Sequence, residues 1–179
     1  MLQRNIIKLK KHNEIGMSYR IHTEEKRGAI VIKANVKYVS WEIFKNPKLL
    51  IDNNFFTVDK GQKLYDLIAY CDPTNFAISE KVKNILEENN VTGWSCYPII
   101  IEGIKENYFG FQITGKGGEV TNRDQNDDVP MFEPVKWNQS KWDGSDIFNI
   151  QDTGIKACTE KVKEILEKAK ITNLEIKPL

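Results

Sequence analysis

Residues 79–98 recur without gaps eighty residues later, at 159–178. Nine of the twenty aligned positions are identical, and seven of these nine fall within the run Glu80–Glu87. The other two, Thr92 and Pro98, lie beyond that run. A fixed offset of this kind indicates one supersecondary unit used twice. Short Lys/Glu/Leu helices also resemble one another by chance, but the matches outside the run favour a real duplication.

Each copy has the pattern of a helix that leads into a strand. Ser79 and Thr159 are suitable N-cap residues, and each is followed by a glutamate, which the helix dipole favours in the first turn. Apolar residues then recur at three-and-four spacing on one face. Gly93 and Asn173, residue types that tolerate positive φ, predict a turn before an alternating strand.

The rest of the chain is mostly β-like. Alternation over 17–21 and 30–38 predicts two N-terminal strands, for which a hairpin or meander is the simplest pairing. Residues 97–102 and 108–114 predict a second hairpin, and the spacing of Leu64, Leu67 and Ile68 predicts a short helix capped by Asp59.

These elements predict a single α+β domain over residues 1–179. Its two helix–strand units, about 79–98 and 159–178, are expected to pack on a mixed, largely antiparallel sheet. A β-rich N-terminal part, 1–60, precedes the repeat-containing part, 61–179.

The cysteines and the hydropathy indicate a cytoplasmic protein. No window approaches the ~18 apolar residues that span a bilayer, and the N-terminus lacks the pattern of a secretory signal. The three cysteines are far apart in the sequence. Cys96 and Cys158 align with Ile176 and Ile78 in the other copy, which predicts buried, reduced thiols.

Charge is unevenly distributed although the net charge is only +1. Residues 1–40 hold nine Lys or Arg and three Glu. This asymmetry is compatible with an arm that binds nucleic acid or another anion. We favour solvated lysines on strand faces, because no pattern of arginine and aromatic residues suited to stacking on bases accompanies the lysines.

Patterns typical of catalysis or of metal binding are absent from the sequence. His12 and His22 are the only histidines, and there is no Gly-x-Ser-x-Gly or Cys-x-x-Cys motif. Gly115–Gly118 lacks the Walker spacing, and a calcium loop starting at Asp124 has Val135 where an EF-hand requires glutamate. We therefore expect no catalytic residue, no cofactor and no metal.

Two tryptophans and an acidic loop are the candidate partner-binding residues. Trp137 and Trp142 lie among polar neighbours, where an exposed tryptophan is a typical interface anchor and a half-buried one packs on a sheet edge. Asp124, Asp127 and Asp128 precede them and could attract a basic partner.

The order of motifs from about residue 63 to the C-terminus carries a family resemblance. The motifs are the run at 79–86, Thr92-Gly93, Tyr97-Pro98, the aromatic strand 108–113, Asp146–Phe148, and the terminal stretch 171–178. Together they resemble the immunity protein eleven family of bacterial polymorphic toxin systems. The first sixty residues are not matched, and the loop around 115–130 departs from the family pattern.

The resemblance implies a cytoplasmic protein that binds a cognate toxin and blocks it without catalysis, and it transfers no functional residues. Our leading hypothesis is therefore an immunity-type inhibitor with a toxin protein as its partner and no membrane association. The alternative is a nucleic-acid or anion-binding module that uses the basic N-terminal β region. A hydrolase would need a cleft where His12 or His22 meets Cys71 or an aspartate.

Overall fold

The computed structural model describes residues 16–122, 135–151 and 153–179, and the elements below are those of this part of the chain. The protein is α+β, as expected. Its elements are β1 (Ser18–Thr23), β2 (Val31–Ala34), α1 (Ser40–Lys45), α2 (Lys48–Asp52), β3 (Phe55–Lys60), β4 (Leu67–Tyr70), β5 (Phe76–Ser79), α3 (Glu80–Glu88), β6 (Trp94–Ile101), β7 (Tyr108–Ile113), β8 (Lys116–Glu119), β9 (Ile147–Gln151), β10 (Lys156–Thr159), α4 (Glu160–Lys168) and β11 (Leu174–Pro178).

The strands form two sheets rather than the single sheet that the sequence predicted. One is a closed barrel with the order β2-β3-β6-β7-β5-β4, and the other is a five-stranded sheet with the order β11-β1-β10-β9-β8. Both sheets are mixed and largely antiparallel. The N-terminal hairpin is wrong, because β1 pairs with β10 and β11 whereas β2 pairs with β3 and β4.

The two predicted helices follow their strands directly. The Ser79 side chain accepts a hydrogen bond from the Val82 backbone N–H and so caps α3, whereas the Thr159 hydroxyl makes no such bond at α4. Both helices bury one apolar face in a core shared with strands of both sheets. The buried helical residues of this core are Val82, Leu86, Val162 and Leu166.

The strands around the helices are paired with matching registers. In the β4–β5 hairpin Leu67 lies opposite Ile78, and in the β9–β10 hairpin Ile147 lies opposite Cys158. Both members of the second pair are eighty positions beyond those of the first. The two hairpins therefore present equivalent positions to the shared core.

The helix predicted around Leu64 is wrong. Leu67 and Ile68 belong to β4, and they are only 3% and 1% exposed, respectively. Leu67 contacts the core beneath the helices, whereas Ile68 points into the barrel. A strand buried on both faces loses its alternating pattern, so its short apolar run can be mistaken for a helix.

Candidate functional site

A cavity of about 630 Å³ opens between the barrel and the five-stranded sheet, and we call it the inter-sheet cavity. Its floor is made of buried side chains and its rim of exposed ones. The floor includes Tyr70, Asn75, Phe76, Lys156 and Asn173, and the rim includes Glu25, Arg27, Asp59 and Lys60. This volume is within the range typical of small-molecule sites.

Lys156 is the unusual residue of this floor, because it is a lysine that is only 8% exposed. Its Nζ lies 5.3 Å from the centre of the Phe44 ring and 5.7 Å from that of Phe76, so two cation–π contacts hold it. Its Nζ makes no hydrogen bond or ion pair with another described residue. Burial lowers the pKa of Lys156 to about 8, although the negative charge of Asp72 partly opposes this effect.

Asp72 lies on the same cavity wall, and its carboxylate is already saturated with hydrogen-bond donors. Tyr38 Oη donates to Oδ2 at 2.6 Å, and the backbone N–H groups of Thr74 and Asn75 donate to Oδ1 at 2.8 and 2.7 Å. Burial raises the pKa of Asp72, but these hydrogen bonds outweigh it and the pKa lies below its usual value. Asp72 therefore organises the turn after β4.

His22 and Cys71 line the same cavity, which brings together the residues of the hydrolase hypothesis. No hydrogen bond joins these two side chains. His22 Nδ1 lies 2.9 Å from the Thr23 carbonyl oxygen, and its Nε2 pairs with Glu175 across the β1–β11 ladder. Both ring nitrogens are thus engaged away from the thiol. His12 lies outside the described residues.

The repeat predicted that Cys158 and Cys96 are buried, and this is confirmed for Cys158 alone. Cys158 is fully buried, and burial raises the pKa of its thiol to about 12. Cys96 is half-buried, and Cys71 is exposed. The described residues contain no group of three or more His, Cys, Asp or Glu side chains that could hold a metal ion.

The glycine-rich segment 115–118 has a packing role. Gly117 and Gly118 lie in β8, and a Cβ atom on Gly118 would come within 2.1 Å of the Asn138 carbonyl oxygen. These glycines allow a close approach of two backbone segments, which is a different geometry from a phosphate-binding turn before a helix.

The candidate partner-binding tryptophans pack on the five-stranded sheet and do not form an exposed anchor. Trp137 is only 8% exposed, and its ring centre lies 5.1 Å from that of Phe148. Trp142 is half-buried against the same phenylalanine and donates from Nε1 to the Ser145 carbonyl oxygen at 3.0 Å. The acidic residues Asp124, Asp127 and Asp128 lie outside the described residues.

An exposed apolar strip crosses the outside of the barrel, and the sequence reasoning missed it. Phe55 of β3 lies opposite Ile100 of β6, and Pro98 of β6 lies opposite Phe109 of β7. Phe55 is 41% exposed and Ile100 is 55% exposed, whereas their strand neighbours Phe56, Ile99 and Ile101 point inward and are buried. We call Phe55, Pro98, Ile100 and Phe109 the apolar strip; Phe109, at its end, is half-buried and packs against the core beneath the helices. The alternation in β6, with Ile99 and Ile101 inside and Ile100 outside, was the available signal.

Helix α2, next to β6, exposes further apolar side chains. Leu49 and Ile51 are 40% and 48% exposed, whereas Leu50 between them is fully buried. The helix contacts β6, and only Asn53 and Asn54 separate its end from β3. Its one charged pair, Lys48 with Asp52, is internally neutralised at 2.9 Å.

The basic N-terminal region is only partly described. Arg4, Lys8, Lys10 and Lys11 lie outside the described residues. Of the others, Arg20 lies in β1 and Lys33 in β2, which belong to different sheets, while Lys26 pairs with Glu24 at 3.1 Å. The described cations therefore do not line one shared strand surface.

Comparisons with known proteins assign no family to this chain. No protein-family model matches the chain, and no curated protein matches it. Among the described residues, no helix combines the length and the apolar character needed to cross a bilayer.

Proposed function

We propose that this protein is a non-catalytic, immunity-type inhibitor that acts in the cytoplasm, where it binds a cognate toxin protein and occludes it. The observation that carries the proposal is the apolar strip on the outside of the barrel. Contiguous exposed apolar surface is a common mark of protein-binding sites. The family resemblance of residues 63–179 gives the class of partner.

The chemistry of the strip favours a protein partner over a nucleic acid. Phe55, Pro98, Ile100 and Phe109 are apolar, and the nearby pair Lys48–Asp52 carries no net charge. Binding to a phosphate backbone requires unpaired cations, whereas an aromatic and aliphatic cluster suits the desolvated centre of a protein interface. The strip and α2 together offer a centre for an interface of about 800 Å² per partner.

The backbone beneath the strip supports tight binding because it is already ordered. Phe55 and Ile100 lie on neighbouring strands of a closed barrel, and the Ile100 N–H donates to the Asn54 carbonyl oxygen at 2.8 Å. The Asn54 side chain donates to the Pro98 carbonyl oxygen at 3.2 Å. A surface held in this way loses little conformational entropy when a partner binds.

The test is coexpression with the product of the neighbouring gene. We expect the two proteins to copurify at equal stoichiometry, and cells that express the neighbour to grow only when this protein is present. If the adjacent genes encode no toxin-like protein, or if the pair fails to associate, the proposal loses its basis. The alternative of an anion-binding module stays a prediction, tested by steep loss of nucleic-acid binding with salt.

We also propose that the chain contains an internal duplication, of which 79–98 and 159–178 are the most similar parts. Three pairs of observations support it beyond the sequence match. The hairpin registers Leu67–Ile78 and Ile147–Cys158 differ by the same offset. Asn90 and Lys170 both have positive φ after their helices. Strand β7 pairs with β5 and β6 as β1 pairs with β10 and β11.

A further inference from the structure

We infer that the inter-sheet cavity binds a small organic carboxylate whose anionic group pairs with the Lys156 ammonium. This inference goes beyond the proposed toxin binding. The cavity shares no residue with the apolar strip, so either proposal can fail without the other.

The first observation is the state of the Lys156 side chain. An ammonium group withdrawn from water is costly unless a charge or hydrogen-bond acceptor compensates it. Among the described residues, the faces of Phe44 and Phe76 are the groups in contact with the Lys156 ammonium, at 5.3 and 5.7 Å, and Asp72 acts on it only from a distance. No described carboxylate lies within ion-pair distance of its Nζ. Within the part of the chain that the structure describes, the three N–H donors of this group therefore have no anionic acceptor.

The second observation is that the fold does not require a lysine at this position. Lys156 lies opposite Asn149 in the β9–β10 hairpin, and Phe76 lies opposite Ala69 in the β4–β5 hairpin. These two pairs are offset by eighty residues, so Lys156 and Phe76 occupy equivalent places. Phe76 is buried and stacks on Phe111. An apolar side chain thus serves the packing at one site, and the amine at the other adds chemistry that packing does not need.

The third observation is that the neighbouring acid is occupied. Asp72 accepts hydrogen bonds from Tyr38, Thr74 and Asn75, and it influences Lys156 only from beyond ion-pair distance. The cavity is also lined by Lys26, Arg27 and Lys60 and by Glu25 and Asp59, and because Lys26 is paired with Glu24, these charges do not favour either sign. We therefore expect the positive charge of Lys156 at the floor to be what favours an anionic ligand.

The floor also defines the rest of the ligand. Phe76 supplies apolar surface next to Lys156, Ile30 lines the same cavity, and the volume of about 630 Å³ accommodates a compact ring system. A planar acid can direct its carboxylate at the ammonium while its ring packs on these side chains. Charge-assisted hydrogen bonds in such a partly desolvated place are stronger than neutral ones.

The experiment compares 2-naphthoate with its uncharged isostere 2-naphthamide, using the full chain and isothermal titration calorimetry. We expect one naphthoate per chain, bound about tenfold or more tightly than naphthamide. In Lys156→Met this preference should disappear. The matched control is Lys168→Met, which removes an exposed lysine of α4 outside the cavity and should leave the preference unchanged.

A second readout uses the unmodified protein and does not depend on the folding of a variant. Bound naphthoate should protect Lys156 from acetylation at pH 8, measured by peptide mass spectrometry, while Lys168 is acetylated at an unchanged rate. Equal binding of acid and amide, an acid preference that survives in Lys156→Met, or the absence of both saturable binding and protection overturns the inference.

Discussion

Asp66 and Thr172, 106 residues apart, are joined by three hydrogen bonds. The Thr172 backbone N–H and hydroxyl each donate to Asp66 Oδ2 at 2.8 Å, and the Asp66 N–H donates back to the hydroxyl oxygen at 2.8 Å. Asp146 and Thr92 repeat the arrangement at 2.9, 3.1 and 3.0 Å. The β4–β5 hairpin therefore holds the turn that follows α4, and the β9–β10 hairpin holds the turn that follows α3.

These reciprocal contacts predict equal losses of stability. We expect Asp66→Ala and Asp146→Ala each to lower the free energy of unfolding by about 1–3 kcal/mol, because each leaves several partly buried donors without an acceptor. Urea denaturation measures the loss. Asp52→Ala, which removes only the exposed pair with Lys48, should cost less than about 0.5 kcal/mol. A large loss at one aspartate and none at the other would contradict the equivalence.

The same aspartates set part of the acid sensitivity. Burial raises the pKa of Asp66, but hydrogen bonds from Thr172 and Ser79 outweigh it, so the folded pKa lies below the ordinary value. The corresponding stabilisation is present above the unfolded pKa near ~3.9 and is lost as the pH falls through the folded pKa. The Asp66→Ala variant should therefore lose less stability on acidification than the wild type.

Lys156 should make the free energy of unfolding depend on pH in the alkaline range, whereas Asp66 acts in the acid range. Its pKa is about 8 in the folded protein and 10.5 when unperturbed. Between these values the unfolded chain keeps a proton that the folded chain has released, so stability rises with pH. At pH 7 we expect Lys156→Met to be more stable than the wild type by about 1–3 kcal/mol.

That difference should narrow as the pH is raised from 8 to 10.5, which urea denaturation at several pH values can follow. Subtracting the free energy of unfolding of the wild type from that of the variant at each pH removes the contribution of the other titrating groups. A difference that stays constant over this range would mean that the Lys156 amine is not perturbed by burial.

The cysteines predict an order of chemical reactivity. Cys71 is exposed, Cys96 is half-buried, and Cys158 is fully buried with its thiol pKa raised to about 12 by burial. The thiolate is the reactive form. Iodoacetamide at pH 8 should therefore modify Cys71 first, Cys96 more slowly, and Cys158 only after unfolding. Rapid labelling of Cys158 in the folded protein, detected by mass spectrometry, would contradict this packing.

The apolar strip predicts variants that fold normally but bind poorly. We expect Phe55→Asp and Ile100→Asp each to weaken toxin binding tenfold or more, because a carboxylate would be desolvated at the centre of the interface. Leu64→Asp, an exposed leucine outside the strip, serves as the control and should retain affinity. Calorimetric titration of the complex measures the effect. Unchanged affinity in both strip variants would move the interface elsewhere.

The sequence was informative where structure depends on local periodicity. Helices α3 and α4, the β6–β7 hairpin and the burial of Cys158 were all predicted and are confirmed. Pairings between distant segments were not predictable in this way. Tyr19 lies opposite Cys158 in the five-stranded sheet, and no local pattern specifies which strand β1 joins.

The candidate site was harder to predict, although part of its signal was present. Extending the repeat upstream aligns Asp66 with Asp146 and Phe76 with Lys156. The pair Asp66 and Asp146 is the one that makes the reciprocal hydrogen bonds. The pair Phe76 and Lys156 shows a lysine at a position where the other copy has an apolar residue. Trp137 shows the limit of composition, because its polar sequence neighbours were compatible with an exposed anchor and with a half-buried ring, and the ring is buried against Phe148.

The most direct test of occlusion is a titration of the toxin's activity with this protein, performed with the toxin concentration well above the dissociation constant. A stoichiometric inhibitor without catalysis predicts a linear loss of activity that ends at one equivalent. Loss of all activity at a small fraction of an equivalent, which requires turnover, or full activity at excess inhibitor would contradict the account.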